Sequence, residues 1–492
     1  MAAGKRLRAK VPRRSHGEYT PAPGRHDPVS ILEEQGKSRL PQLVPIRYTR
    51  MLASPFAFLR GSAAVMAGDL AATPTTGLVV QACGDAHVAS FGVFAFAERN
   101  LIFGINDFDE TLPGPWEWDL KRLAASAVVC AHHLGGDKEE AEEAARAAVE
   151  SYREWIREYA YMGHLDVWYS LIDEHAVLAS LPSKARRHAK KLIARARSRN
   201  NLQVLGKMTD LVNDQHQIHE SKPLIVRERV TSTGRRTAEA LSLFLQSYLA
   251  TIPEDRQPLL ARYQIADVAR KVVGVGSVGT RCWVTFLTGN HHEDPLFLQI
   301  KQAQASVLAP YTARSAFSHQ GQRVVVGQRL IQGAPDIFLG WGTQDGFHFY
   351  VRQLRDMKGG ADYSPGAMPV EYLIERSRLC GWALALAHAK SGDPAMIAGY
   401  VGRGEALDDA IAKFALAYGE QTNRDYAALG KAARQQRIRL ARDLREREAA
   451  AISPKTRAIS GSRHTIRYVR TASCDGGGLP DPGRDAPNRR YA

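Results

Sequence analysis

The sequence predicts an α+β fold of two lobes, in which a β-rich segment interrupts a largely helical chain. Amphipathic helical patterns dominate residues 46–257 and return over 359–445. From about residue 268, β-branched and aromatic residues alternate around Gly-rich turns, which is typical of antiparallel strands. A chain of 492 residues with 44% hydrophobic side chains is long enough for more than one packed core. The expected helical portion is therefore large and the β-rich lobe compact.

Composition divides the chain into five segments. Residues 1–45 mix Arg, Pro, Gly and His, which predicts a basic N-terminal arm that is mobile or lies along the surface. Residues 46–257 hold two acidic motifs and the first helices, 258–358 form the β-rich lobe, and 359–445 return to the helical lobe. Residues 446–492 are rich in Gly, Pro, Arg and Asp and predict a disordered basic tail.

Helix signals in the first half are local. Pro55 stands at the first position of a predicted helix, SPFAFLRGSAAVMAGDLA. The segment from Trp116 is amphipathic and ends at a Gly pair, and Asp137 precedes a second long helical pattern as its N-cap. The stretch HQGQRVVVGQRLIQ fits either a short helix or a strand.

Charge and cysteine usage limit the function classes. The formal charge of +15 favours polyanions, anionic surfaces or phosphorylated small molecules. Two basic runs, KARRHAKKLIARARSR and ARQQRIRLARDLREREAA, have helical spacing, and no zinc-finger or ribonucleoprotein motif accompanies them, so solvated helix faces are favoured over nucleic-acid binding. Five scattered cysteines indicate a reduced, cytoplasmic protein, and no segment has the apolar length of a signal sequence or membrane helix.

Two acidic turns each follow an apolar run that reads as a strand. The first acidic turn, Cys83–Gly92, reads CGDAHVASFG, and the second acidic turn, Ile105–Glu110, reads INDFDE. Carboxylates beside core strands are costly unless a cation or a proton transfer compensates them. The two turns together predict a functional site.

A Gly-rich turn follows much later in the chain. GVGSVG at Gly274–Gly279 matches G-x-G-x-x-G, a pattern shared by dinucleotide-binding folds and kinases. A dinucleotide site requires a helix next, whereas TRCWVTFL and LFLQIK read as strands, the second ending at Lys301. In kinases this order of strands places a Gly-rich loop over the nucleotide phosphates and a Lys in an ion pair with them. The predicted phosphate contacts here are Gly274, Gly276, Ser277, Gly279 and Lys301. A β-meander with Gly at its turns and an exposed Lys is the alternative.

The acidic turns fit the needs of phosphoryl transfer. Asp85 is placed to orient or deprotonate an acceptor hydroxyl, and Asp107 follows 107 − 85 = 22 residues later as a Mg²⁺ ligand, with Ser90 as a further ligand. Asp109 is either a second metal contact or a turn former, ranked below Asp107. His87 either steadies the turn or is a core histidine.

Arg60 completes the set of candidate residues. It is a candidate contact for substrate or phosphate, and a structural ion pair is the alternative.

Several longer motifs resemble one bacterial family. GDAHVASFG, NDFDETLPGPWEWDLKRLAAS, GVGSVGTRCWV, LFLQIKQA and YVRQLRDMKG together resemble the family called domain of unknown function 2252, over about residues 25–430. More distantly, Gly84-Asp85-x-His87, the DFD of the second acidic turn and Asp119-Leu120 resemble the aminoglycoside and choline kinase-like superfamily. That resemblance implies a two-lobed protein kinase-like fold with Asp85 catalytic, Asp107 a magnesium ligand and Asp119 an anchor of the catalytic loop.

Three features depart from that superfamily. The Gly-rich lobe follows the catalytic-loop segment, so the resemblance implies a circularly permuted order of elements. Ser90 stands where a metal-binding Asn is expected, and no Glu occurs between Glu293 and Glu371 to pair with Lys301. The expected function is an ATP- and Mg²⁺-dependent phosphotransferase acting on a small hydroxyl- or amine-bearing metabolite, either active or impaired as a pseudokinase. Alternatives are a metal-dependent hydrolase built on the Asp/His cluster and a non-enzymatic basic module that binds nucleic acid or protein.

Overall fold

The computed structural model describes residues 1–95, 98–228, 243–291, 293–333, 336–354 and 357–441. The chain divides into two units, Met1–Arg445 and Glu446–Ala492, and every described residue belongs to the first. The predicted disordered tail, 446–492, lies outside the described residues.

The fold is mixed α/β, as the sequence predicts. The helices are α1 Ala2–Leu7, α2 Pro28–Lys37, α3 Val44–Met51, α4 Pro55–Gly61, α5 Ala63–Ala71, α6 Trp116–His133, α7 Lys138–Tyr159, α8 His164–Tyr169, α9 Glu174–Ser180, α10 Ser183–Arg197, α11 Asn201–Met208, α12 243–249, α13 Gln257–Leu260, α14 Gln320–Gln332, α15 Val370–Ser391, α16 Pro394–Val401 and α17 Ala406–Arg434. The strands are β1 Val79–Ala82, β2 Phe91–Ala95, β3 Leu101–Ile105, β4 Leu112–Pro115, β5 Thr209–Val212, β6 Gln215–Ile218, β7 Ile225–Arg227, β8 Gln264–Lys271, β9 Cys282–Thr288, β10 Pro295–Gln302, β11 Gly340–Gln344 and β12 Phe347–Gln353.

The main sheet contains most of the strands. Within the described residues it has six strands in the order β11-β12-β10-β9-β8-β7, and every neighbouring pair is antiparallel. The Gly-rich turn joins β8 to β9, and Lys301 on β10 pairs in register with Cys282 on one side and Tyr350 on the other. Since Cys282 begins β9, Lys301 lies at the end of the sheet nearest the Gly-rich turn.

Alternate residues of β10 point to opposite faces of the sheet. Leu298 and Ile300 pack with Phe244 and Tyr248 of α12 on one face. On the other face the sheet packs against α11 and the β5-β6 hairpin, through a cluster consisting of Val204, Leu205, Met208, Ile218, Ala269, Val284, Phe286, Phe297 and Leu354. Both apolar faces of the sheet are therefore covered by the chain itself.

The helical core is built around α6, α7 and α15. Asp137 caps α7 in a capping box with Glu140, which confirms the predicted start of that helix. Helix α6 is buried along almost its whole length, including Leu120 and Leu123. A helix buried on all sides occupies the centre of a packed helical layer, so α6 can hold neighbouring loops in place from within.

The segment predicted as a basic arm is folded onto the helical part. Arg8 donates hydrogen bonds to the carbonyl oxygens of Tyr400 at 2.7 Å and Gly399 at 2.6 Å, and His16 lies 2.7 Å from the Tyr400 hydroxyl. Residues 1–45 thus pack against the helical core, with His16 and Leu32 of α2 fully buried.

The ambiguous stretch at residues 319–332 forms a helix. His319 caps α14 by accepting a hydrogen bond from the Gln322 backbone N–H. The helix predicted from Pro55 is interrupted at Ser62, which separates α4 from α5. Among the described residues, none of the helices combines the length and apolar character needed to cross a membrane.

Candidate functional site

A cleft of about 110 Å³ lies where the two acidic turns meet the Gly-rich turn. Its lining includes eight of the residues that the sequence singled out, namely Arg60, Asp85, His87, Asp107, Asp109, Gly274, Gly276 and Ser277. Segments nearly 200 residues apart along the chain therefore face one another. Gly279 belongs to the same Gly-rich turn, whereas Lys301 and Ser90 lie behind the lining and contact residues in it.

The first acidic turn is held in place by hydrogen bonds to a side chain of α6. The buried carboxylate of Asp119 accepts hydrogen bonds from the backbone N–H groups of Cys83 at 2.5 Å and Gly84 at 2.9 Å. His388 of α15 lies 3.4 Å from the same carboxylate. At Gly84 φ is +79°, and a Cβ would come within 2.4 Å of the Glu110 carbonyl oxygen, so only glycine fits. The turn therefore has one fixed backbone path.

Asp85 projects from this turn into the cleft and is paired with Arg122. The Arg122 guanidinium approaches Asp85 Oδ1 through Nη2 at 2.5 Å and through Nε at 2.7 Å. Arg122 is itself buried and donates to the Leu59 carbonyl oxygen at 2.9 Å. This pair fixes one carboxylate oxygen of Asp85, while 18% of the Asp85 side chain remains exposed to solvent in the cleft.

His87 and Ser90 close the first acidic turn on itself. Ser90 Oγ donates to the Asp85 carbonyl oxygen at 2.9 Å and lies 3.1 Å from His87 Nδ1. Burial, followed by the nearby Arg60 and Arg122 charges, lowers the pKa of His87 to about 3 despite the opposing effect of Asp85. His87 is thus neutral near pH 7. The Ser90 hydroxyl is used within the turn, and its predicted role as a metal ligand stays a prediction.

The second acidic turn contacts the sheet through Asp109. The Asp109 carboxylate accepts hydrogen bonds from Lys301 Nζ, from Tyr350 Oη at 2.7 Å and from Ser277 Oγ at 3.0 Å. Burial alone would raise the pKa of Asp109, but the Lys301 charge and these hydrogen bonds lower it to about 2. Burial likewise opposes the charge on Lys301, yet Asp109 and Tyr350 raise the pKa of Lys301 above its usual value. Asp109 and Lys301 thus form an ion pair in which Lys301 is buried and Asp109 is partly buried.

Asp107 has a different environment from Asp109. Its Oδ1 atom is buried and accepts no hydrogen bond from any described residue. Burial and the neighbouring Asp109 charge raise the pKa of Asp107, although Lys301 and Arg352 oppose the shift. A buried carboxylate oxygen without a donor is costly. A cation or a donor from a ligand at this position would stabilise it.

The Gly-rich turn presents backbone N–H groups beside these acids. No described residue accepts a hydrogen bond from the N–H groups of Val275, Gly276 or Ser277. Arg39, which also lines the cleft, holds the turn by donating to the carbonyl oxygens of Gly276 at 2.8 Å and Val278 at 2.6 Å. Because the carbonyls are engaged and the N–H groups are free, the turn suits a ligand with acceptor oxygens.

Sequence reasoning missed Glu110, Arg39 and Arg323. Glu110 lines the cleft and accepts a hydrogen bond from the Val307 N–H at 2.8 Å, and burial raises the pKa of Glu110 to about 7. Arg323 of α14 is buried and donates to the carbonyl oxygens of Thr111 at 2.5 Å and Asp109 at 2.8 Å. Arg39 lies in the predicted arm. Two of the three carried a signal in the sequence: Glu110 ends the second acidic turn, and Arg323 is a charged residue beside the three Val residues of α14.

Arg60 also lines the cleft. Its Nε atom is buried and has no hydrogen-bond partner among the described residues, and its guanidinium lies 5.8 Å from the centre of the Phe56 ring. In the described part of the chain, no group of three or more His, Cys, Asp or Glu side chains is arranged to hold a metal ion alone. A cation at Asp107 would need oxygen ligands from a bound molecule.

The fold and the cleft define a mixed α/β protein in which an antiparallel sheet and a helical part together line one charged site. The chain belongs to the family described as an uncharacterized protein conserved in bacteria (DUF2252), whose model matches residues 39–432. The family resemblance seen in the sequence is thereby confirmed. Comparisons with curated proteins and with solved structures give no match.

Proposed function

We propose that this protein is an ATP- and Mg²⁺-dependent phosphotransferase with a circularly permuted, two-lobed kinase-like fold. The acceptor is a small metabolite bearing a hydroxyl or amine. The observation that carries the proposal is the convergence of three distant segments on one cleft: Asp85 from the first acidic turn, Asp107 from the second, and the Gly-rich turn from the sheet. Phosphoryl transfer needs these three kinds of group together.

The order of elements in the sheet supports this fold. A strand, the Gly-rich turn, a second strand and a third strand bearing Lys301 are followed by α14 and two further strands. Protein kinases likewise place a Gly-rich loop over the phosphates, a Lys on the third strand and a helix after it. The hydrogen bonds from Cys83 and Gly84 to Asp119 match the loop anchor that the superfamily resemblance implies.

Each residue has a separate role in the proposed reaction. Asp85 orients the acceptor hydroxyl and takes its proton, with Arg122 fixing one of its carboxylate oxygens. The free N–H groups of Gly276 and Ser277 bind phosphate oxygens, and Arg60 adds a positive charge at the same cleft. Positioning and electrostatic stabilisation then supply most of the lowering of the barrier.

The residues present fit Mg²⁺. Mg²⁺ in kinase sites is held by one or two carboxylates together with substrate phosphates, and Asp107 offers a buried carboxylate oxygen without a hydrogen-bond donor. When bound, Mg²⁺ would neutralise charge on the phosphate oxygens. Asp107 is the residue that would hold it.

Lys301 differs from the kinase pattern in its partner. Helix α14 carries no Glu, and Lys301 instead pairs with Asp109 of the second acidic turn. This pairing keeps Lys301 charged and places it beside Asp107, which supports an active enzyme over a pseudokinase. The same pairing ties up Asp109, so fewer carboxylates are left for a hydrolytic metal cluster.

A thermal-shift titration with ATP and MgCl₂ tests the proposal. We expect stabilisation of the wild type and of Asp255→Asn, a control at a residue 65% exposed, and a much smaller shift for Asp107→Asn. Release of ADP on addition of small hydroxylated metabolites would identify turnover. Equal shifts in all three proteins, or metal-dependent ester hydrolysis without any effect of nucleotide, would contradict the proposal.

A further inference from the structure

The cleft has an unusual lining for a site that must hold a nucleotide. Among the described residues that line it there is no Phe, Tyr or Trp, and the charged ones are Arg39, Arg47, Arg60, Asp85, Asp107, Asp109 and Glu110. Nucleobases are held by stacking on aromatic rings or by apolar walls with a few polar groups. The cleft offers charged groups and backbone N–H donors instead.

The size of the cleft also favours a phosphate chain over a whole nucleotide. Its volume of about 110 Å³ is well below the roughly 300–1,000 Å³ typical of pockets that enclose a drug-sized organic ligand. A chain of phosphate groups fits such a volume, but a base and a sugar extend beyond it.

The apolar surface on the face of β10 that carries Lys301 is already occupied. Gln299 and Lys301 share a face of β10 with Phe297, because alternate residues of a strand point the same way. Farther from the Gly-rich turn, that face packs against α11 and the β5-β6 hairpin, and Phe297 is fully buried. The apolar part of this face, which could form one wall of a base pocket, is covered by the chain itself.

We propose that the cleft recognises its phosphoryl donor through the phosphate chain alone, so that inorganic tripolyphosphate with Mg²⁺ replaces ATP. This inference rests on the proposed phosphotransferase function. The transfer breaks the bond between the terminal phosphorus and its bridging oxygen and forms a bond from that phosphorus to the acceptor oxygen. Asp85 takes the acceptor proton, and pyrophosphate leaves.

The carboxylates of the cleft do not oppose this ligand once a divalent cation accompanies it. Asp85 and Asp107 line the same cavity as Arg60 and the Gly-rich turn. Phosphate oxygens can therefore contact the donors while the cation contacts Asp107. Neither contact involves a base or a ribose.

Isothermal titration of the full chain with the Mg²⁺ complexes of ATP, GTP and inorganic tripolyphosphate tests the inference. We expect dissociation constants within about threefold of one another, all weakened at least about tenfold in Asp107→Asn and unchanged in the exposed control Asp255→Asn. Binding of ATP more than about tenfold tighter than tripolyphosphate or GTP would overturn the inference and leave the phosphotransferase proposal standing. Failure of all three ligands to bind would overturn both.

Discussion

The two acidic turns each follow a short strand and each bring an Asp to the cleft, yet different parts of the molecule hold them. The first acidic turn is fixed by α6, through Asp119 to its backbone and Arg122 to Asp85. The second is fixed by the sheet, through Lys301 and Tyr350 to Asp109. The first turn is thus set by the helical core, whereas the second joins the helical core to the sheet. A short motif does not disclose which of these tasks it performs.

The largest expected effect on stability comes from the ion pair of Lys301 and Asp109, which joins the second acidic turn to the sheet. Lys301→Met leaves Asp109, a carboxylate that is 24% exposed, without its cation, which should lower the free energy of unfolding by about 3 kcal/mol, the low end of the range for buried pairs. Urea denaturation followed by circular dichroism measures it. Lys37→Met is the matched control, because the Lys37 side chain is 73% exposed and its loss should change stability by less than about 0.5 kcal/mol. If Lys301→Met lowered the free energy of unfolding by less than about 1 kcal/mol, the ion pair would not be what holds the second acidic turn to the sheet.

A smaller effect is expected at the anchor of the first turn. Asp119→Asn keeps one acceptor oxygen but replaces the other with an amide that cannot accept the second backbone N–H, so it should cost about 1–3 kcal/mol. Hydrogen exchange at Cys83 and Gly84 should accelerate more than exchange in the sheet. Equal acceleration in both regions would mean that Asp119 supports the whole fold, and the distinction between the two turns would fail.

Elements with strong local signals could be predicted from the sequence. The Asp137 cap of α7, the helix-forming residues of α6 before its Gly pair and the alternation in β9 and β10 each specify one structure within a few residues, although α6 is buried on all sides rather than amphipathic. Helix α14 could not be assigned, because its three consecutive Val residues suit a strand and its Gln and Arg residues suit a helix. The packing of this segment on the sheet and on the helical core selects the helix.

The site could be predicted only in part, for a similar reason. Polar side chains directly after strands, and Gly274–Gly279 before a strand, mark a candidate site from local pattern alone. Whether Lys301 pairs with Asp107, Asp109 or neither depends on tertiary distances of a few ångströms, which a sequence pattern does not encode. Arg39 was missed because single charged residues outside a motif are usually solvated, and Glu110 because a Glu at the end of a turn is usually solvated as well.

Asp107 and Asp85, one from each acidic turn, should change the stability of the protein in opposite directions when each is replaced by Asn. Asp107→Asn removes a negative charge that burial and Asp109 disfavour, and it should raise the free energy of unfolding by about 1 kcal/mol without ligand. Asp85→Asn, in contrast, should lower stability, since it leaves the buried Arg122 without its carboxylate. Urea denaturation of both variants at pH 7 measures the two signs. If both variants changed the free energy of unfolding in the same direction, the two acids would not have the different environments described for them.

The smallest expected effect concerns Glu110 at the end of the second turn. Burial raises the pKa of Glu110 from its usual value near 4.5 to about 7, with Asp109 and Asp85 adding to the shift and Arg323 and the Val307 N–H opposing it. A folded-state pKa above the unfolded one means that the native state binds the proton more tightly. The contribution of Glu110 is then fully present below about pH 4.5 and is lost as pH rises through about 7.

Glu110→Gln keeps an acceptor for the Val307 N–H and removes the titration. The stability of the variant relative to the wild type should therefore increase between pH 5 and pH 8, by less than about 1 kcal/mol once solvent screening at the cleft is included. Free energies of unfolding measured across that range check the trend, with Glu34→Gln, at a side chain 71% exposed, as the matched control. A difference that stays constant with pH would mean that Glu110 ionises freely, and the second turn would then be less enclosed by the sheet than its contacts indicate.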